Sequence, residues 1–115
     1  MKEKSKGNKK GGAKRRPRAL FSPGVIFITR GVQALLDDAK LEAKEVCSFI
    51  DRHLAGDWGD LDGHDRRRNA EALQDGARLF SAYRSLAGTK FWVITEAEID
   101  KGYRESTCVM LPDEY

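Results

Sequence analysis

The apolar residues of this chain change period at Gly76, and that change limits the fold more than any other feature. Before it, Val46, Phe49, Ile50 and Leu54 follow the i, i+3, i+4, i+8 spacing of one buried helical stripe. After it, they alternate. Leu79, Ser81 and Tyr83 fall on one face of a strand, with Arg78, Phe80, Ala82 and Arg84 on the other. Phe91, Val93 and Thr95 likewise oppose Trp92, Ile94 and Glu96. The patterns predict helices over 31–39, 42–54 and 63–75, then strands over 78–84, 90–96 and 106–111. Short links make three consecutive strands an antiparallel meander, so the expected class is α+β, with about three N-terminal helices covering one face of the meander. The β-branched run at 25–29 reads either as a short first strand or as an extended lead-in packed on the core, with Thr29 placed to cap the first helix.

Between the second and third helices lies the acidic knot 56–61. Gly56 follows the apolar stripe, where a helix end favours a residue free to take positive φ. Trp58 is the side chain to anchor the turn, and Asp62 with Asp65 has the chemistry of an N-cap followed by a capping-box acid. Gly56, Asp57, Trp58 and Asp60 are therefore read as a structural turn. The third helix has a thin apolar face of Ala70, Leu73 and Ala77, and Arg66, Arg67 and Arg68 form a basic band because consecutive residues point about 100° apart. Cys47, at the edge of the second helix's stripe, is read as a small packing residue.

The carboxylates Asp57, Asp60, Asp62 and Asp65 with His64 invite a metal reading, which the spacing opposes. Aligned on a calcium loop, the segment puts Trp58 first and Asn69 twelfth, where acids are required. His53 and His64 have no Cys or His at ligand spacing and are read as surface or capping residues. Neither a metal nor a cofactor is expected. Two distant cysteines, Cys47 and Cys108, give no disulfide framework, and no apolar run reaches the roughly 18 residues of a spanning helix. These features predict a cytoplasmic chain without a membrane partner.

Charge divides the 115 residues in two. Residues 1–18 hold nine Lys or Arg against one Glu, a net +8, and the remainder holds twelve basic and seventeen acidic side chains, a net −5. The first segment has almost nothing apolar to bury and is expected to be a disordered basic tail, with one compact domain over 19–115. Lys9, Lys10, Lys14, Arg15, Arg16 and Arg18 could serve as an electrostatic arm for nucleic acid, or the tail could be an incidental solubilising extension.

Acid–base chemistry has one set of candidates, on the strands. If register gathers Arg78, Tyr83, Glu96, Arg104 and Thr107, the sheet presents an acid, guanidinium groups and hydroxyls able to bind a phosphate and move a proton, as in small metal-independent ribonucleases. The alternative is cross-strand ion pairing on a solvated face. No phosphate loop, nucleophile elbow or Cys/His pairing accompanies them.

The string Gly56-Asp57-Trp58-Gly59-Asp60-Leu61, then Asp65, Asn69, Ala72-Leu73, Gly76, Arg78-Leu79, Ser81 and Tyr83, then Trp92-Val93-Ile94-Thr95-Glu96-Ala97 and the ending Leu111-Pro112, Glu114-Tyr115 resembles a family of short bacterial proteins. Its members are often carried on plasmids and other mobile elements, and are sometimes labelled plasmid-related or type I restriction subunit M. The resemblance covers about residues 24–115. Members usually run from Thr-Glu-Ala straight into Asp-Arg; here Glu98 takes the acid's place, residues 99–103 intervene before Arg104, and Cys108 replaces one of two threonines. It implies a non-enzymatic accessory protein of mobile or phage-derived DNA that binds another macromolecule, in defence or anti-defence. That partner is expected to be another protein, with nucleic acid reached through residues 1–18. The alternatives are a small ribonuclease-type toxin using the sheet face, and a structural or regulatory module with an incidental tail.

Overall fold

The computed structural model describes residues 18–115. Apart from Arg18, the residues of the basic arm lie outside them. The order is β1 (Val25–Ile28), α1 (Arg30–Asp37), α2 (Ala43–Leu54), α3 (Gly63–Asp75), β2 (Leu79–Arg84), β3 (Lys90–Thr95), β4 (Glu98–Asp100), β5 (Tyr103–Arg104), β6 (Ser106–Met110) and a closing 3-10 turn over Pro112–Glu114. The α+β class holds, and two details differ. The sheet is four-stranded, ordered β1-β6-β3-β2, because β1 adds parallel to β6 at the meander's far edge. The helices thus sit between β1 and β2 in the chain. The loop expected at 97–105 contains a second small ribbon, β4 paired with β5.

Helix ends follow local chemistry. Asp62 accepts from the Asp65 amide at 2.8 Å to start α3, and Gly76 ends it at φ 83° with its N–H on the Ala72 carbonyl. In α2, Glu42 and Glu45 form a reciprocal capping box. The main core lies between α1, α2 and the inner sheet face: Val32, Val46 and Phe49 meet Tyr83, Phe91, Val93 and Val109. Phe49 stacks on Tyr83 with centroids 5.3 Å apart. A second cluster joins Trp58, Leu61, Ala72, Leu79 and Ala82.

The α3 face differs from expectation. Ala70 and Ala77 are exposed, Leu73 is half-buried, and the buried positions are Ala72 and Asn69. Asn69 is buried because it acts as a piece of strand: its amide donates to the Phe80 carbonyl at 2.6 Å and its carbonyl oxygen accepts from the Phe80 N–H at 3.1 Å. Next to it, the Ala82 N–H donates to the Trp58 carbonyl, and the Asp60 N–H to the Ala82 carbonyl. The acidic knot and Asn69 together close the outer edge of β2. Gly59 is required there: its φ is 73°, and a Cβ would collide with the Ala82 carbonyl oxygen. Trp58 is buried against Phe21 and His53.

The chain's end is tied to its first helix. The Glu114 carboxylate accepts from the Thr29 hydroxyl, from the Gly31 N–H at 2.9 Å and from the Leu111 N–H at 2.9 Å. The Thr29 hydrogen bond foremost, then the two amides, hold its pKa below the usual carboxylate value against partial desolvation. An unfolded chain takes up that proton more readily, so this stabilisation is present above the unfolded pKa of about 4.3 and is lost as pH falls through the lower folded value. Glu114→Gln is expected to lower the melting temperature at pH 7 by roughly 3–6 °C, the scale of one lost cap. Melts of both proteins should converge once the pH is below that lowered folded value; a gap that persists there would mean the carboxylate's charge contributes nothing.

Candidate functional site on the open face of the sheet

Alternation sends the two faces of the sheet to different environments. The inner face meets α1 and α2, while Phe80, Trp92, Ile94 and Cys108 face the side that those two helices leave uncovered. Ala82 and Met110, on the same side, are buried.

The five residues considered for chemistry are separated by this division. Arg78 and Glu96 lie on the open face, about half exposed, with Nε and Oε1 3.9 Å apart. Tyr83 is buried on the inner face, where its hydroxyl donates to the Asp57 carbonyl at 2.6 Å and burial pushes its pKa upward. Arg104 is 2% exposed, and its guanidinium donates to the carbonyls of Ala77 (2.7 Å), Glu96 (3.0 Å) and Ala72 (3.2 Å), with Glu98 at 3.8 Å. It fastens the end of α3 to the end of β3 and complements the negative end of the helix dipole. Thr107 is fully buried. The acid and one arginine are accessible; the other groups are committed to the interior.

Sequence reasoning missed His53, which is fully buried rather than a surface or capping residue. The signal was the stripe: Val46, Phe49 and His53 share the buried face of α2, whereas Leu54 is only half-buried. The hydrogen bonds of His53 can be assigned proton by proton. Thr107 donates its single hydroxyl proton to the Pro23 carbonyl at 2.8 Å, so Thr95 must donate to Thr107 at 2.6 Å. Thr95 then accepts from His53 Nε2 at 2.9 Å, leaving Nδ1 to accept from the Ser81 hydroxyl at 2.6 Å. The ring is neutral, with its pKa lowered to about 3 by burial and then by the Arg104 charge. Phe21 and Trp58 meet it edge to face. Ser81 beside a histidine has the outline of a nucleophile and base, yet both are fully buried and the second ring nitrogen meets a neutral threonine rather than a carboxylate. The row of hydroxyls ties α2 to β2, β3 and β6.

The acidic knot is likewise occupied. The Asp57 carboxylate holds Arg52 at 2.7 and 3.3 Å and accepts from the Gly59 N–H at 3.2 Å, and the Arg52 hydrogen bond above all lowers its pKa. Asp60 lies 3.7 Å from Arg84. Among the described residues, no group of three or more His, Cys, Asp or Glu is arranged to hold a metal, and no helix is long and apolar enough to cross a membrane. Cys47, expected as a packing residue, is exposed because it falls outside the Val46, Phe49 and His53 face; Cys108 is half-buried on the open face.

What the open face offers is a groove of about 500 Å³ walled by Arg68 of α3 with Arg78, Phe80, Trp92, Ile94 and Tyr115. Phe80 meets Trp92 at 5.0 Å and Trp92 meets Tyr115 at 5.8 Å, both edge to face, and the Arg78 guanidinium lies 5.5 Å from the Tyr115 ring centre. At the opposite end of the sheet no strand among the described residues lies on the outer side of β1, and Val25, Ile26 and Phe27 are 60%, 43% and 53% exposed. The arrangement can stack, pair and bury. No family model, curated protein or solved structure matches the chain.

Proposed function

We propose that this chain is a non-enzymatic binding module, an accessory protein of mobile or phage-derived DNA that engages a protein partner in defence or anti-defence. The observation that carries the reading is the contrast between the two sheet edges. The β2 edge is closed by Gly59 and Asn69, whereas among the described residues nothing covers three apolar side chains and one row of backbone groups of β1. An uncharged, unpaired edge strand is a template for an added strand, with main-chain hydrogen bonds giving affinity and the exposed apolar residues giving selectivity. The association with mobile elements rests on the family resemblance.

The test pairs Phe27→Lys with the unaltered chain. Phe27 is more than half exposed, so the variant should melt within a few degrees of the parent, and capture of the partner from the native host should disappear. Undiminished capture of that partner by the folded variant would sink the edge-strand reading. Growth arrest on induction that depends on Glu96 would instead favour the ribonuclease alternative.

A further inference from the structure

The groove between α3 and the open face is separate from the β1 edge, and its chemistry points to a different ligand. Tyr115 is 69% exposed and Trp92 half-buried on the groove wall, so the two rings offer aromatic surface to a planar group. Two cations flank those rings. Arg68 is exposed and has no hydrogen-bond or ion-pair partner among the described residues. Arg78 has a single ion pair there, at 3.9 Å to a half-exposed Glu96, a contact weak enough to exchange for a better anion. Asp65, also on the wall, opposes only part of that charge. A space of about 500 Å³ is in the range of small-ligand pockets. The arm formed by residues 1–18 carries a net +8 and contains no aromatic residue, so it can attract phosphates but has no ring on which to stack bases. The groove supplies what the arm lacks.

We infer that the groove binds single-stranded nucleic acid, seating a base against Trp92 and Tyr115 and the adjoining phosphate between Arg68 and Arg78. The arm adds sequence-independent attraction. This inference stands on the groove and does not depend on the protein-binding reading of β1.

The full chain should be titrated into a fluorescein-labelled oligonucleotide of about 12 bases, within the usual site sizes, at 50 and 200 mM salt, following anisotropy and tryptophan emission together. Binding should quench tryptophan. The double variant Arg68→Glu/Tyr115→Ala changes two exposed side chains and should fold normally; it is expected to weaken binding at least about tenfold and abolish the quenching, the scale of one lost stack and one lost phosphate contact. Arg78→Glu should do the same by itself. Arg15→Glu/Arg16→Glu should weaken binding and flatten its salt dependence while keeping the quenching. Folded groove variants that bind as tightly as the parent, equal affinity for duplex, or no binding at all would each overturn the proposal. Saturation by a mononucleotide at the same affinity would overturn it in favour of a free nucleotide ligand, and capture of a protein that competes at Trp92 without any oligonucleotide binding would overturn it in favour of a protein surface.

Discussion

Arg104→Met is expected to lower the stability of this domain by about 3–5 kcal/mol, the usual cost of removing one partner from a buried charged network. Methionine keeps much of the unbranched stem, so the change isolates the guanidinium. That group is 2% exposed and is the shared donor for carbonyls from the last turn of α3, from Ala77 in the link between α3 and β2, and from the residue after β3. Each carbonyl left dry and unpaired costs roughly 1–3 kcal/mol, and the three do not relax independently because Arg104 joins their elements. On a domain of this size the loss corresponds to a fall of about 15 °C or more in melting temperature. Arg104→Lys should recover only part of it, since one ammonium cannot reproduce a planar fork reaching three elements. Thermal and urea unfolding by circular dichroism measure both; a loss under about 1 kcal/mol for methionine would show that water replaces the guanidinium at no cost.

Residues 98–104 make up the β4–β5 ribbon. Residues 99–103 carry the chain out and back, Glu98 and Arg104 pair across the ribbon, and the Glu98 N–H donates to the Gly76 carbonyl at 2.8 Å. The ribbon therefore returns Arg104 to the sheet as a fastener. A residue nominated for phosphate binding becomes one of the interior's main polar ties.

Legibility followed range. The ends of α3 were readable because an aspartate, a second aspartate and a glycine act within a few residues of themselves. The faces of β2 and β3 were readable because alternation is a property of each strand alone. The pairing of β1 with β6 joins Val25 to Ser106, and nothing in either strand names the other. His53 was misread, and the burial of Asn69 was not foreseen, for a related reason: their partners, Ser81 with Thr95 for one and Phe80 for the other, lie 11 to 42 residues away. Alternation also left open which face the helices cover, since Phe91 with Val93 and Trp92 with Ile94 are equally apolar. The groove became visible only once α1 and α2 had been placed.

The buried His53 sets the acid limit of the fold. Neutral in the folded protein with a pKa of about 3, it titrates near 6.5 once unfolded, so between these values the unfolded chain binds the extra proton. Stability therefore rises with pH across that window and falls as pH is lowered from 6.5, by about 1.4 kcal/mol per unit once well below the unfolded value. At pH 5 the loss relative to pH 7.5 is about 2 kcal/mol, before Glu114 and Asp57, whose pKa values lie below the ordinary carboxylate range, begin to contribute. The direction is forced by the hydrogen bonds. Protonating Nδ1 would put a second donor against the Ser81 hydroxyl, which would then have to turn its own proton elsewhere, and would set a charge in an aromatic pocket beside Arg104. His53→Gln offers a donor and an acceptor without a titrating ring; it should be less stable at pH 7.5 yet lose far less between pH 7.5 and 5. Urea midpoints of both proteins across that range decide the matter, and parallel slopes for parent and variant would mean that His53 is not the group that titrates.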